Sequence, residues 1–93
     1  MEIPIEQHTL LRAKERGASE EEIKDTLITG ISISAKSGRQ ARMKVFSFHS
    51  ERNGKIYKQK KIEVYYITEN DIIITVTVYV FFGNFEDTST ILI

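Results

Sequence analysis

The chain contains no cysteine, which excludes a disulfide framework, a thiolate zinc site and a cysteine nucleophile. Histidine is nearly as scarce: His8 and His49 are the only two, too few for a dedicated metal cage, and no cofactor is expected. Proline and glycine together total six residues, which sets disordered and fibrous classes aside. No apolar run approaches the roughly 18 residues that a membrane span requires, and the N-terminal MEIPIEQH lacks a basic segment followed by an apolar stretch. A cytoplasmic protein without membrane contact is therefore expected. An excess of charge is also missing, because thirteen basic side chains balance thirteen acidic ones. On totals alone this argues against a nucleic-acid binder.

What is present is 93 residues, 41% hydrophobic and 28% charged, which suits one small globular domain over residues 1–93. Its core is expected over about residues 5–86, with a short tail over 87–93. The charges are segregated along the chain. Residues 1–30 carry four basic and seven acidic side chains, residues 36–61 nine and one, and residues 62–93 none and five. Such segregation becomes a basic face if the middle segment stays exposed, or cancels if strands and helices bring the segments together.

A first helix is expected over residues 5–16, with Pro4 at its entry and Gly17 at its stop. Ser19 and Glu22 form a capping-box pattern, and three successive glutamates suit the positive end of a helix dipole, so a second helix is expected over 20–29. Gly30 reads as its left-handed cap. Alternation then replaces helical periodicity. A short strand is expected over 31–34 and another over 42–49, with Met43, Val45 and Ser47 on one face and Arg42, Lys44, Phe46 and Phe48 on the other. Asn53-Gly54 signals a tight hairpin into a strand bearing Ile62, Val64 and Tyr66. Glu69-Asn70-Asp71 turns it into the run 72–82, which reads as a central strand because it is almost wholly β-branched or aromatic. The tail over 83–93 is expected to pack or to add an edge strand. Two N-terminal helices followed by a four-stranded antiparallel sheet is an α+β fold.

His8, Arg12 and Arg16 recur every four residues and share one stripe of the first helix, drifting only about 40° per step. An imidazole in line with two permanent cations suits a phosphodiester: guanidinium groups pair bidentately with phosphate oxygens, and histidine moves protons near neutral pH. RNA cleavage needs a base for the 2′-hydroxyl, a cation for the developing phosphorane charge and an acid for the leaving oxygen. His8 fits the base and either arginine the clamp, while Tyr79, Tyr66, Lys60 and His49 are candidates for the acid. The structural alternative is that the arginines are solvated partners of nearby glutamates. On the hairpin, Lys55, Lys58, Lys60 and Lys61 offer cations near Tyr57, Tyr65 and Tyr66, as in single-stranded RNA binders, and Arg42, Lys44, Lys58, Lys60 and Lys61 are the nucleic-acid-binding candidates. Lysines on an edge strand also serve to prevent aggregation.

His8-x3-Arg12-x3-Arg16-Gly17-Ala18-Ser19, the acidic helix start behind it and the run ITVTVYVFFG at 74–83 resemble the small domain-of-unknown-function family 4258 over roughly residues 5–86. Ala18 stands where that family usually has a larger aliphatic residue, and the long basic hairpin is a second departure. The family is similar in layout to the RelE, ParE and BrnT toxins of type II toxin-antitoxin systems. The resemblance implies a RelE-like fold and a toxin-like, metal-independent ribonuclease or RNA-binding domain, with His8, Arg12, Arg16 and Tyr79 as catalytic candidates and an antitoxin-like protein as partner. Two other functions stand beside it: a non-catalytic module that binds RNA, DNA or an acidic protein through its basic hairpin, and a scaffold that self-associates as a homodimer through Phe81, Phe82, Phe85 and the apolar end of the tail.

Overall fold

The computed structural model describes residues 3–85. Two helices, α1 (Gln7–Arg16) and α2 (Glu20–Thr29), precede four strands, β1 (Ile31–Ile33), β2 (Gln40–Arg52), β3 (Lys55–Glu69) and β4 (Ile72–Gly83). The strands pair antiparallel in chain order, so the sheet is a meander. Both helices lie on one face, α1 against β4 and α2 across β2 and β3. Among the described residues no helix is long and apolar enough to cross a membrane.

The α1 helix begins two residues later than Pro4 suggests. Ile3 is buried and Ile5 packs against the core, so this approach segment serves as an apolar strap instead of a first turn. Gly17 ends α1 in the left-handed region at φ 106°, and the N–H groups of Gly17 and Ala18 both donate to the Ala13 carbonyl. A capping box opens α2: Ser19 Oγ accepts from the Glu22 N–H at 3.1 Å, and Glu22 Oε1 accepts from the Ser19 N–H at 3.0 Å. Gly30 departs from the expected left-handed cap and is extended, at φ −75°. Its requirement is space, since a Cβ there would press on the Thr26 and Met43 carbonyl oxygens.

The β2–β3 and β3–β4 turns each have two successive residues at positive φ, Asn53 and Gly54 in one, Asn70 and Asp71 in the other. These are the backbone values that match the twist of antiparallel strands. Alternation places Lys60, Ile62, Val64 and Tyr66 of β3 toward the helices, where the last three meet Ile23 and Leu27 of α2, Ala13 of α1 and Val78 of β4 in one buried cluster. Each large aliphatic side chain in it contributes about 1.5–3 kcal/mol on burial. Register puts Arg42, Lys44 and Phe46 on this same face, opposite Val64, Ile62 and Lys60.

Among the described residues the run over 72–82 is not a central strand. Among the described residues β4 is the outer strand of the meander, and it leaves Ile72, Ile74, Tyr79 and Phe81 exposed while burying Val78 and Thr75. Its β-rich composition reflects helix α1 covering one face. Of the expected tail, residues 86–93 lie outside the described residues; Gly83 closes β4, and the Phe85 N–H donates to Gln59 Oε1.

Candidate functional site

The four-residue spacing of α1 turns one stripe of the helix toward the outer edge of β4. There His8, Arg12 and Arg16, with Thr9 and Ala13, line a groove of about 140 Å³ closed on its other side by Val76, Thr77 and Val78. Ala13 is almost fully buried, and this small side chain lets helix and strand approach closely enough for the cations on either side of it to border one hollow. His8 and Arg12 are exposed. Arg16 is half-buried and anchored: its Nη1 donates to the Val78 carbonyl at 2.7 Å, and its guanidinium carbon lies 5.5 Å from the centre of the Tyr79 ring. The bond uses a carbonyl that the edge strand would otherwise turn to solvent. Among the described residues, no carboxylate lies within ion-pair distance of His8, Arg12 or Arg16.

Tyr79 lies under the Arg16 guanidinium but apart from His8 and Arg12. It does not line the groove with His8, but sits beyond Arg16 on the opposite sheet face, opposite Glu63 in register. Its ring meets that of Tyr65 in a T-shape, 5.7 Å between centres and 82° between planes. The Tyr65 hydroxyl donates to Glu63 at 3.1 Å, and its pKa is raised above the ordinary tyrosine value, first by partial desolvation and then by this carboxylate. Of the other acid candidates, Tyr66 is buried in the core, Lys60 is held inside the fold, and His49 lies exposed at positive φ within the irregularity between Ser47 and Ser50 of β2.

The cations of the middle segment have a different use from the one their sequence suggests. The last turn of α2 has no basic residue of its own, and the neighbouring strand supplies the missing charge. Arg42 Nη1 donates to the Leu27 carbonyl at 3.0 Å; Lys44 Nζ donates to Asp25 Oδ2 at 2.9 Å and to Thr29 Oγ1 at 2.8 Å. Asp25 is held below the ordinary aspartate range chiefly by the Lys44 hydrogen bond, then by the one from Thr29. At the end of α1, Arg52 Nη2 donates to the Glu15 carbonyl and Lys60 Nζ to that of Gly17, each at 2.8 Å. Lys60 also donates to Glu22 Oε1 at 2.9 Å and is only 8% exposed. Four sheet cations thus meet the negative ends of the two helices, where free carbonyls and the dipole favour positive charge.

Of the five residues read as a nucleic-acid-binding set, Arg42, Lys44 and Lys60 are engaged in this way. Lys61 faces the other side of the sheet, 3.5 Å from Glu63 and within 5.3 Å of the Phe81 and Phe85 rings, and Lys58 is exposed on the hairpin arm. The segregated charges therefore meet in part: Lys44 with Asp25, Lys60 with Glu22 and Lys61 with Glu63.

Two cations that sequence reasoning passed over, Lys36 and Arg39, lie on the loop between β1 and β2. They border a cavity of about 350 Å³ together with Tyr65, Thr77 and Tyr79. A third hollow, about 410 Å³, is lined by Arg16, Arg52, Tyr57, Phe81 and Phe82. Thr77 borders both the first two hollows and Arg16 both the first and the third, and no acidic side chain lines any of them. Only the alternation of Thr77 and Tyr79 on β4 hinted at this in sequence, because the loop cations are brought over the sheet by the tertiary fold. Among the described residues no cluster of three or more histidine and carboxylate side chains suited to a metal ion is present. No family model matches the chain, and neither a curated protein nor a solved structure matches it.

Proposed function

We propose that the groove between α1 and β4 holds the backbone of RNA and that the chain is a toxin-like, metal-independent RNA-cleaving domain with the RelE-type order of elements. The observation that carries this reading is the convergence of His8, Arg12 and Arg16 on one hollow that, among the described residues, has no carboxylate to neutralise it. The groove volume suits a phosphate and its bridging oxygens more closely than a whole nucleotide. Arg12 pairs with the non-bridging oxygens and stabilises the charge that builds on the phosphorane. Arg16, fixed at Val78, contributes its remaining donors without further loss of side-chain freedom. The imidazole of His8 takes the proton of the 2′-hydroxyl as that oxygen attacks phosphorus; the bond to the 5′-oxygen breaks, and the leaving oxygen takes a proton from water.

The test is incubation of the protein with single-stranded RNA in chelator. The expected result is cleavage leaving 2′,3′-cyclic phosphate ends, slowed at least about 100-fold by His8→Ala. Intact RNA, or equal rates for parent and variant, would overturn the catalytic assignment. One observation favours a second reading: the exposed Ile72, Ile74, Tyr79 and Phe81 on an outer strand suit association with a second copy or an antitoxin-like protein. A single monomeric species in sedimentation from micromolar to millimolar concentrations would count against self-association.

A further inference from the structure

The cavity under the β1–β2 loop has the walls of a base-binding pocket and shares Thr77 with the groove as a wall residue. Its aromatic wall is built to stay in place. Tyr65 is tethered through its hydroxyl to Glu63, Tyr79 packs against Tyr65 in a T-shape, and Arg16, whose guanidinium lies over the Tyr79 ring 5.5 Å from its centre, is itself bonded to Val78. Tyr79 nonetheless remains 44% exposed, so ring surface is left for a ligand. Lys36 and Arg39 supply positive charge at the rim, with no acidic residue in the lining. At about 350 Å³ the cavity lies within the ~300–1,000 Å³ span of small-molecule and cofactor sites, whereas the adjoining groove lies below it.

We infer that this cavity is a base subsite: it takes an unpaired nucleobase next to the phosphate held by Arg12 and Arg16, stacked on Tyr79, with the following phosphate on Lys36 and Arg39. The inference rests on the RNA reading of the groove and narrows it to single-stranded RNA. A duplex keeps its bases stacked inside the helix and presents no ring face to a side chain, while a splayed strand offers a base and a phosphate alternately, as these two neighbouring hollows require. Tyr79 is thereby a substrate-binding ring and not the proton donor for the leaving oxygen.

The experiment measures fluorescence anisotropy of a labelled single-stranded RNA of about ten nucleotides and of an abasic strand of the same length, in chelator, with all proteins carrying His8→Ala so that the RNA stays intact. The expected result is that Tyr79→Ala weakens RNA binding on the order of ten-fold and leaves the abasic strand unaffected, while Tyr79→Phe, which keeps the ring, binds RNA as the parent does. Arg39→Ala and Lys36→Ala weaken both strands and flatten the salt dependence. If RNA and abasic strand bind equally well, or Tyr79→Ala changes neither, the base subsite is overturned and the groove reading stands. If no strand binds any of the proteins, both fall. Circular dichroism of each variant shows that a lost affinity is not lost folding.

Discussion

Replacing Lys60 by methionine keeps an unbranched stem of similar length and removes only the ammonium. In the parent that group donates two charge-assisted hydrogen bonds, to the Gly17 carbonyl at 2.8 Å and to Glu22 Oε1 at 2.9 Å, with its side chain 11% exposed and that of Glu22 25% exposed. Breaking a wholly buried ion pair by removing one partner costs about 3–5 kcal/mol. The figure here is smaller, because water reaches a quarter of Glu22 and the carboxylate keeps the Ser19 N–H of the capping box. A loss of about 2–3 kcal/mol is expected, most of it from the carbonyl and carboxylate left without their donor. For a domain of this size each kcal/mol moves Tm by about 4–8 °C, so the midpoint falls by roughly 10–20 °C. Urea unfolding followed by circular dichroism measures the loss directly, and combining the change with Glu22→Gln returns a coupling of at least about 1 kcal/mol. A loss below about 0.5 kcal/mol, accompanied by weaker RNA binding, would refute the reasoning, since it would show an ammonium free to serve external phosphates.

Gly17→Ala places a side chain at φ 106° and a Cβ 2.9 Å from Phe82 Cζ, so a loss of about 1–2 kcal/mol is expected in the same urea titration. Asp71→Gly relieves a positive φ of 65° in the β3–β4 turn, and a gain of about 0.5–1 kcal/mol is expected. Asp25 has a folded pKa depressed by Lys44 and Thr29, so its contribution is present above its unfolded value and is lost as pH falls below about 4. Asp25→Asn is therefore expected to flatten the acid limb of a stability-against-pH profile, and an unchanged limb would exclude the linkage. Tyr65 acts in the opposite direction: with its folded pKa raised, stability is lost as pH climbs above about 10, and Tyr65→Phe is expected to lessen that alkaline loss.

Local chemistry made the helices and turns legible along the chain. Ser19 with Glu22, Gly17 after Arg16, and Asn53-Gly54 each act within four residues, through hydrogen bonds or backbone angles that the neighbouring residues satisfy by themselves. The stripe of His8, Arg12 and Arg16 was legible for the same reason, since one helix sets their spacing. What the sequence could not determine was where the cations of the middle segment point. The charge segregation allowed either a basic face or mutual neutralisation, and Arg42, Lys44, Arg52 and Lys60 turn toward helix ends that come within their reach only once α1 and α2 pack on the sheet. The position of β4 was likewise a tertiary decision. A β-branched, aromatic run has the same composition at the centre of a sheet as at an edge covered on one face by a helix, and only the meander order β1-β2-β3-β4 places it outermost among the described residues, alongside His8.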